Sequence, residues 1–235
     1  MKKAITAAIM STVLFIGCAN AENVVDYGGA AVAPAEINHS DSIYFAQIDF
    51  SSMKTTGDRI FLENYPTYQQ KSDFSCGPAC ALTVLNYFGN MDYDEAILRK
   101  KMGTKPKIGT SLSKMVKFFA EIGWEVESGL NLEPMTEENF QEFVIKNLSE
   151  GKPIIVENVE WGGHWRVIIG YDGMGTGNLY DDVLIFADPF DTSDHAQDGY
   201  AVESFDRFYS MWFDHNMLPE SERNQPWLIA TPKRG

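Results

Sequence analysis

Apolar residues in the first half of the chain recur at helical spacing. Within separate stretches between residues 75 and 151, apolar residues recur at every third or fourth position, which is the pattern of a helix with one buried face. Glycines interrupt this pattern, and serine, threonine or aspartate precedes each new stretch, as is typical of helix ends and N-caps. The pattern predicts four helices, over residues 75–89, 92–103, 111–123 and 136–151.

The second half of the chain has a different pattern. Three short runs rich in β-branched residues, separated by glycine-rich turns, predict strands over residues 153–156, 165–171 and 183–187. Short connections favour antiparallel pairing of such strands. A last helix is predicted over 204–214, with Phe205, Phe208 and Trp212 on one face. Helices followed by antiparallel strands predict an α+β fold, with N-terminal helices packed on the sheet.

The N-terminus has the pattern of an export signal. Two lysines precede an apolar run, and Ala19 to Ala21 supply small residues for cleavage after Ala21. A membrane anchor is the weaker alternative, because the run is shorter than the roughly 20 residues of a spanning helix. Lipoprotein anchoring through Cys18 is a second alternative. We therefore expect a signal peptide over 1–21, an arm over 22–58, and a domain over 59–235 in an exported, periplasmic or secreted protein.

Composition and charge narrow the set of partners. The 235 residues are 44% apolar, which suits one globular domain, and the formal net charge is −14. Removal of residues 1–21 takes away two lysines and lowers the charge to −16. Such a chain is repelled by nucleic acid and by anionic lipid, and we expect no membrane segment in the mature protein. Only Cys76 and Cys80 would remain, so the fold depends on its core rather than on disulfides.

Cys76 stands in the first turn of the first predicted helix, in the sequence SCGPAC. Unpaired backbone N–H groups at that end of a helix favour a thiolate, so Cys76 is a candidate nucleophile, with a buried structural thiol as the alternative. Gly77 would let a substrate backbone approach closely. Cys80, one turn further on among apolar neighbours, is predicted to be a core thiol, and a bridge from it to Cys76 would strain a regular helix.

His164 is the candidate base for this thiol. It precedes an apolar strand in WGGHWRVIIGYD, whereas His39, His195 and His215 lie in linker, loop and helix-end contexts typical of surface residues. Asp188 follows the next strand in LIFADPF, where it can orient the imidazole. Pairing of the two strands would bring both side chains to the same end of the sheet.

Together these residues resemble the C39-like peptidases of the papain-like cysteine protease superfamily, over about residues 60–215. The resemblance rests on Gln70, six residues before Cys76, on Cys-Gly-Pro opening a helix, on Gly163-His164, and on Asp188-Pro189. It implies a papain-like fold and a peptide or protein substrate. It also implies Cys76 as nucleophile, His164 as acid and base, Asp188 as orienting group and Gln70 as oxyanion donor. Gln69 is expected to face outward, and the two glutamines exchange roles if the register differs by one.

Several alternatives stay open. The stretch around Cys76 and LNYFG also resembles the phytochelatin synthases, which implies γ-glutamyl peptide transfer. A non-catalytic peptide-binding module on the same fold is a second alternative, and zinc held by the two cysteines, His164 and an acid is a third. No cofactor or metal is implied by the leading interpretation. Trp161 and Trp165, with Gly163, are candidate walls of a substrate cleft, whereas Trp124 and Trp212 are expected in the core.

Overall fold

All seven strands within residues 42–233, the part of the chain that the computed structural model describes, pair antiparallel in one sheet. The order is β2-β7-β3-β4-β5-β6, and β1 pairs with β4 as well. The strand bounds are β1 Arg59–Phe61, β2 Glu125–Ser128, β3 Ile154–Asn158, β4 His164–Asp172, β5 Val183–Ala187, β6 Tyr200–Ser204 and β7 Trp227–Thr231.

The central strand of the sheet is β4. Its first half pairs with β3, from Ile168 opposite Ile154 to His164 opposite Asn158, and its last three residues pair with β1. Its other edge pairs with β5, as the sequence predicts for two strands joined by a short loop. Strand β4 is buried from His164 to Tyr171, so its first residue lies at the end of a long enclosed strand.

All five predicted helices are present. Their bounds are α1 Cys76–Tyr87, α2 Glu95–Lys101, α3 Leu112–Glu121, α4 Glu137–Ser149 and α5 Phe205–Met211. The predicted start of α4 near Thr136 agrees with the structure, where Thr136 is the N-cap and its hydroxyl accepts a hydrogen bond from Asn139 N. The predicted start of α2 at Asp92 is wrong, because Asp94 accepts from Ile97 N at 2.7 Å and is the N-cap.

Helix α1 is buried on every side and packs on β4. The Cys80 thiol is fully buried and donates to the Trp165 carbonyl oxygen at 3.1 Å, which ties the second turn of α1 to the first residues of β4. Cys76 lies one helical turn before this contact. The packing of α1 on β4 therefore brings the start of the helix toward the start of the strand.

Four of the strands, β1, β2, β6 and β7, are absent from the sequence-based prediction. Each has three to five residues. The side chains of β2 alternate between exposed and half-buried, and its partner β7 is about 100 residues away in the chain. Such short strands are stabilised by pairing with their neighbours in the sheet, because a sequence of three to five residues is too short to define a strand by itself.

The expected N-terminal segments fall largely outside the described residues. These include the signal peptide over 1–21, Cys18, His39 and the first part of the 22–58 arm. The rest of that arm contacts the domain at Phe50, which is buried and whose ring stacks on Tyr200 at 4.8 Å. Within residues 42–233, no helix has both the length and the apolar character needed to cross a membrane.

Candidate active site

The N-terminus of α1 carries Cys76 and is not capped by its N-cap side chain. The Ser75 hydroxyl turns back to the preceding loop, where it accepts hydrogen bonds from the Ser72 N–H and the Ser72 hydroxyl. The predicted capping role of Ser75 is therefore wrong. The first N–H groups of α1 stay available to an anion at the positive end of the helix dipole. Cys76 itself is buried, with 6% of its surface exposed.

His164 and Asp188 form a buried pair beside this thiol. The distance from His164 Nε2 to Asp188 Oδ1 is 2.7 Å, and both side chains are buried. The Phe190 N–H also donates to Asp188 Oδ1, at 2.8 Å, and this bond orients the carboxylate. Because Nε2 is taken by Asp188, Nδ1 is the ring nitrogen left for another partner, and Cys76 is among the groups that act on this ring.

The electrostatics of the pair favour a protonated imidazole. Burial disfavours the charged ring, but the Asp188 carboxylate and the hydrogen bonds to Asp188 and Cys76 outweigh it and raise the pKa of His164 to about 9. Burial likewise works against the Asp188 carboxylate, yet the charge of His164 holds the pKa of Asp188 below its ordinary value. Asp188 is thus the group that favours the imidazolium form of His164.

The second cysteine has a different environment. Burial raises the pKa of the Cys80 thiol well above its ordinary value, and the neighbouring Cys76 adds to this effect. Cys80 is thus a neutral, packed thiol, as the sequence predicts. The two cysteines are not joined by a disulfide. Among residues 42–233 no group of three or more histidine, cysteine or acidic side chains is arranged to hold a metal ion, so the zinc alternative gains no support.

Gln70 and Gln69 occupy distinct environments. Gln70 is 2% exposed, and its Nε2 donates to the Ser72 carbonyl oxygen at 2.6 Å. Gln69 does not face outward, contrary to expectation. Its Nε2 donates to the Asp188 carbonyl oxygen at 2.9 Å, and its Oε1 accepts from Asp191 N. Gln69 therefore holds the loop after Asp188, while Gln70 is the amide buried in the turn that leads into Cys76.

A cleft of about 370 Å³ opens beside Cys76. Of the predicted cleft residues, Gly163, Trp161 and Trp165 line it. Trp165 is buried, and its Nε1 donates to the Thr110 carbonyl oxygen at 3.0 Å. Trp161 is 70% exposed, has a φ of +56° and packs edge-on against Phe190. The two tryptophans thus differ, one fixed in the wall and the other at the rim.

Gly77 has a packing role. A side-chain carbon at this position would lie 3.0 Å from Thr110 Cβ, so the absence of a side chain lets α1 approach the 104–111 loop closely. Gly77 is buried and is not among the residues that line the cleft. The approach of α1 to this loop, rather than the approach of a substrate, accounts for glycine at position 77.

Two further histidines, His195 and His215, have other hydrogen-bond partners. His195 Nδ1 is 2.8 Å from the Ser42 hydroxyl, and the exposed His215 is 2.9 Å from Asn224 Oδ1 through Nε2. A second cavity, of about 890 Å³, is lined by Tyr171, near the opposite end of β4 from His164. None of the candidate catalytic residues lines it.

Sequence reasoning missed three buried acids and one buried arginine around the site. Arg166 pairs with Glu203 at 2.7 Å, stacks over Phe186 and helps to keep Asp188 ionised. Glu157 and Asp214 are buried next to the cleft. Glu157 and Arg166 each interrupt an apolar strand, PIIVEN and HWRVIIGYD, and a charge within such a run was the available signal.

The fold and the buried site define the structural class. Helices packed against an antiparallel sheet, with a cysteine at a helix N-terminus facing a histidine that opens a strand, form a papain-like fold. The model of the Peptidase_C39 like family matches residues 62–213, which is more than half of the chain. The chain therefore belongs to the Peptidase_C39 like family, a family of cysteine peptidase-type hydrolases.

Three solved structures are similar to this chain to different degrees. The peptidase domain of Streptococcus ComA, a bifunctional ABC transporter involved in quorum sensing, is similar with a TM-score of 0.50 and 21% identity, covering 72% of this chain and all of that one. A double glycine motif protease from an AMS/PCAT transporter, in complex with a leader peptide, has a TM-score of 0.45 and 17% identity, covering 72% and 91%. UfSP from C. elegans has a TM-score of 0.47 and 15% identity, covering 84% and 40%. No curated protein matches the chain in sequence.

Proposed function

We propose that this protein cleaves peptide or amide bonds through a Cys76 thiolate, with His164 as general acid and base and Asp188 as the orienting carboxylate. The observation that carries the proposal is the 2.7 Å contact between His164 Nε2 and Asp188 Oδ1, which leaves Nδ1 for the thiol. The raised pKa of His164 favours a proton on the ring, and a neighbouring imidazolium is the kind of partner that activates a cysteine nucleophile.

The first half of the reaction forms an acyl-enzyme. The Cys76 sulfur attacks the carbonyl carbon, and the carbonyl oxygen becomes an oxyanion. In this proposal the Cys76 N–H and the Gln70 side-chain amide stabilise that oxygen, and one such donor contributes about 100- to 1,000-fold in rate. His164 then donates its Nδ1 proton to the leaving nitrogen as the C–N bond breaks.

The second half regenerates the thiol site. His164, now neutral, accepts a proton from water, and the hydroxide formed attacks the thioester carbon. The C–S bond breaks, the carboxylic acid leaves, and the sulfur returns as a thiolate paired with the imidazolium. Asp188 stays ionised throughout and stabilises each imidazolium form.

The test of this function uses two cysteine variants. The purified protein is treated with iodoacetamide and, in parallel, incubated with a diverse peptide library. Cys76→Ala is expected to abolish both the labelling at position 76 and all cleavage, whereas Cys80→Ala keeps both because that thiol is buried and neutral. Turnover that persists in Cys76→Ala would eliminate the proposal. Labelling of Cys76 without cleavage of any peptide would favour a peptide-binding module instead.

We also propose that the protein is exported, since residues 1–21 have the charge and hydrophobicity of a signal peptide. Expression of the full chain in a bacterium, followed by mass analysis of the extracytoplasmic fraction, is expected to give a mature protein that begins at Glu22. A lipid-modified N-terminus at Cys18, or an intact chain retained inside the cell, would contradict this.

A further inference from the structure

Two buried carboxyl groups lie together near the proposed nucleophile, and one of them, Glu157, is in the wall of the cleft. Glu157 belongs to β3 and Asp214 follows α5, and they are 3% and 0% exposed. They come together around Gly163, where an added Cβ would lie 2.5 Å from Asp214 Oδ2 and 3.2 Å from Glu157 Oε1. Glu157 lines the same cavity as Cys76. Neither acid has a role in the reaction described above.

The hydrogen bonds of this acid pair are incomplete. Asp214 Oδ1 accepts from the N–H groups of Asn216 and Met217, at 2.8 and 2.9 Å. Within the described residues, Asp214 Oδ2 and Glu157 Oε2 are buried and accept no hydrogen bond from an N–H group or a hydroxyl. A buried acceptor without a donor is costly, and it indicates a ligand that supplies donors.

The charge state of the pair points to the same kind of ligand. Burial, followed by the charges of Asp214 and Cys76, raises the pKa of Glu157 well above its ordinary value. A hydrogen bond to Asp214 and the nearby Glu222 raise it further, so Glu157 gives up its proton readily only where a positive group faces it. A cationic group with several N–H donors would replace that proton and satisfy both acids.

The other residues of the cleft suit the aliphatic part of a cationic side chain. The rings of Trp161 and Trp165 line it, together with Phe74, Ile108 and Met217. Apolar walls around an acidic base fit the methylene chain of a lysine or arginine, whose charged end reaches the acids. Lys107 and Asp73 also line the cleft with opposite charges.

We propose that Glu157 and Asp214 form a subsite for a cationic group of the substrate, next to the bond that Cys76 attacks. An ammonium or guanidinium group is the recognised chemistry, carried by a lysine or arginine side chain or by a free amino terminus. The claim that this subsite selects cationic peptide substrates rests on the peptidase function proposed above. The claim that the cleft attracts cations does not depend on that function.

The first experiment measures cation attraction without any peptidase activity. Three methanethiosulfonate reagents of similar size modify thiols while carrying an aminoethyl, hydroxyethyl or sulfonatoethyl group. The rate at which each reagent modifies Cys76 in the full chain is measured by peptide mapping. We expect the aminoethyl to hydroxyethyl ratio to fall at least about tenfold in Glu157→Gln and in Asp214→Asn, because each variant removes a buried acidic group. Glu133→Gln, an exposed acid outside the cleft, should leave the ratio unchanged.

The second experiment measures specificity. Library peptides that the protein cleaves are remade with lysine, arginine or norleucine at each position near the cut, and with free or acetylated amino termini. The side-chain and terminus series distinguish the two sources of the cation. We expect kcat/KM to favour one cationic series by at least about tenfold, and Glu157→Gln to remove that preference.

The outcomes separate the two proposals. Charge-selective labelling without cleavage of any peptide would support the subsite and overturn the peptidase function. Cleavage that shows no cation preference, with labelling ratios equal in the wild type and both variants, would overturn the subsite and leave the peptidase function standing. Unfolding temperatures of the variants verify that they are folded. Asp214→Asn keeps a side-chain oxygen that can accept the hydrogen bonds donated by the N–H groups of Asn216 and Met217.

Discussion

His164 Nε2 and Asp188 Oδ1 lie 2.7 Å apart at the ends of neighbouring strands, and both side chains are buried. Each group stabilises the charged form of the other, since Asp188 raises the pKa of His164 and His164 lowers that of Asp188. The proposed chemistry at Cys76 depends on this relationship, because it determines which nitrogen of the ring the thiol meets.

Asp188→Asn should lower the pKa of His164 from about 9, because the amide lacks the negative charge that supports the imidazolium. For a raised histidine pKa the protonated form persists below that value and is lost as the pH rises through it. We expect kcat/KM to decline above about pH 9 in the wild type and at least about one pH unit lower in the variant. Asp92→Asn, an exposed acid, serves as control. Identical alkaline limbs in wild type and Asp188→Asn would refute this assignment.

Gln70→Ala should reduce kcat by about 100-fold or more, the effect of losing one oxyanion donor. The reason is that Gln70 is buried in the turn before Cys76, held by the Ser72 carbonyl. Gln69→Ala is the matched comparison, since that amide binds the Asp188 loop. It should lower the unfolding temperature and affect kcat less. Steady-state kinetics decide the matter, and a larger kcat loss in Gln69→Ala would reverse the assignment of the two glutamines.

Asp191→Asn should stabilise the protein at alkaline pH. Burial, reinforced by Asp194, raises the pKa of Asp191 to about 8, although the Gly199 N–H opposes the rise. The folded state therefore holds this proton more tightly than the unfolded chain. The stability that the protonated Asp191 contributes to the folded state is fully present below about pH 4. It is lost as the pH rises through about 8, the pKa of this group in the folded protein.

An asparagine at position 191 cannot titrate, so at pH 8.5 the variant should exceed the wild type in free energy of unfolding by more than about 1 kcal/mol. The difference should shrink toward pH 5. Urea unfolding at the two pH values measures it, and a variant equal to or less stable than the wild type at pH 8.5 would show that Asp191 is ionised without cost.

Gly163→Ala should destabilise the fold more than Gly162→Ala. Both glycines have positive φ, at +125° and +85°, so both substitutions carry backbone strain of about 1–3 kcal/mol. Only at Gly163 would the new methyl group also meet Asp214, whereas nothing lies within 4 Å of the same atom at Gly162. Thermal unfolding of the two variants isolates this contact. Equal losses would mean that Asp214 moves aside freely.

The sequence by itself determined the helices and the chemical types at the site. Helical periodicity is a local property, so all five helices were predictable to within a few residues, although Asp94 rather than Asp92 caps α2. The positions of Cys76, His164 and Asp188 at element boundaries were likewise visible, because a boundary depends on neighbouring residues.

Tertiary structure decided what depends on distant partners. Strand β7 lies between β2 and β3, although it is the last element in the chain, and no local pattern encodes such a neighbour. The same reason explains Gln69, which binds the Asp188 loop, and Gly77, which packs on Thr110. Glu157 and Asp214 are about 57 residues apart in sequence, and only the folded sheet brings their carboxyl groups together. Contacts between residues distant in sequence arise from packing, and packing is a property of the whole chain.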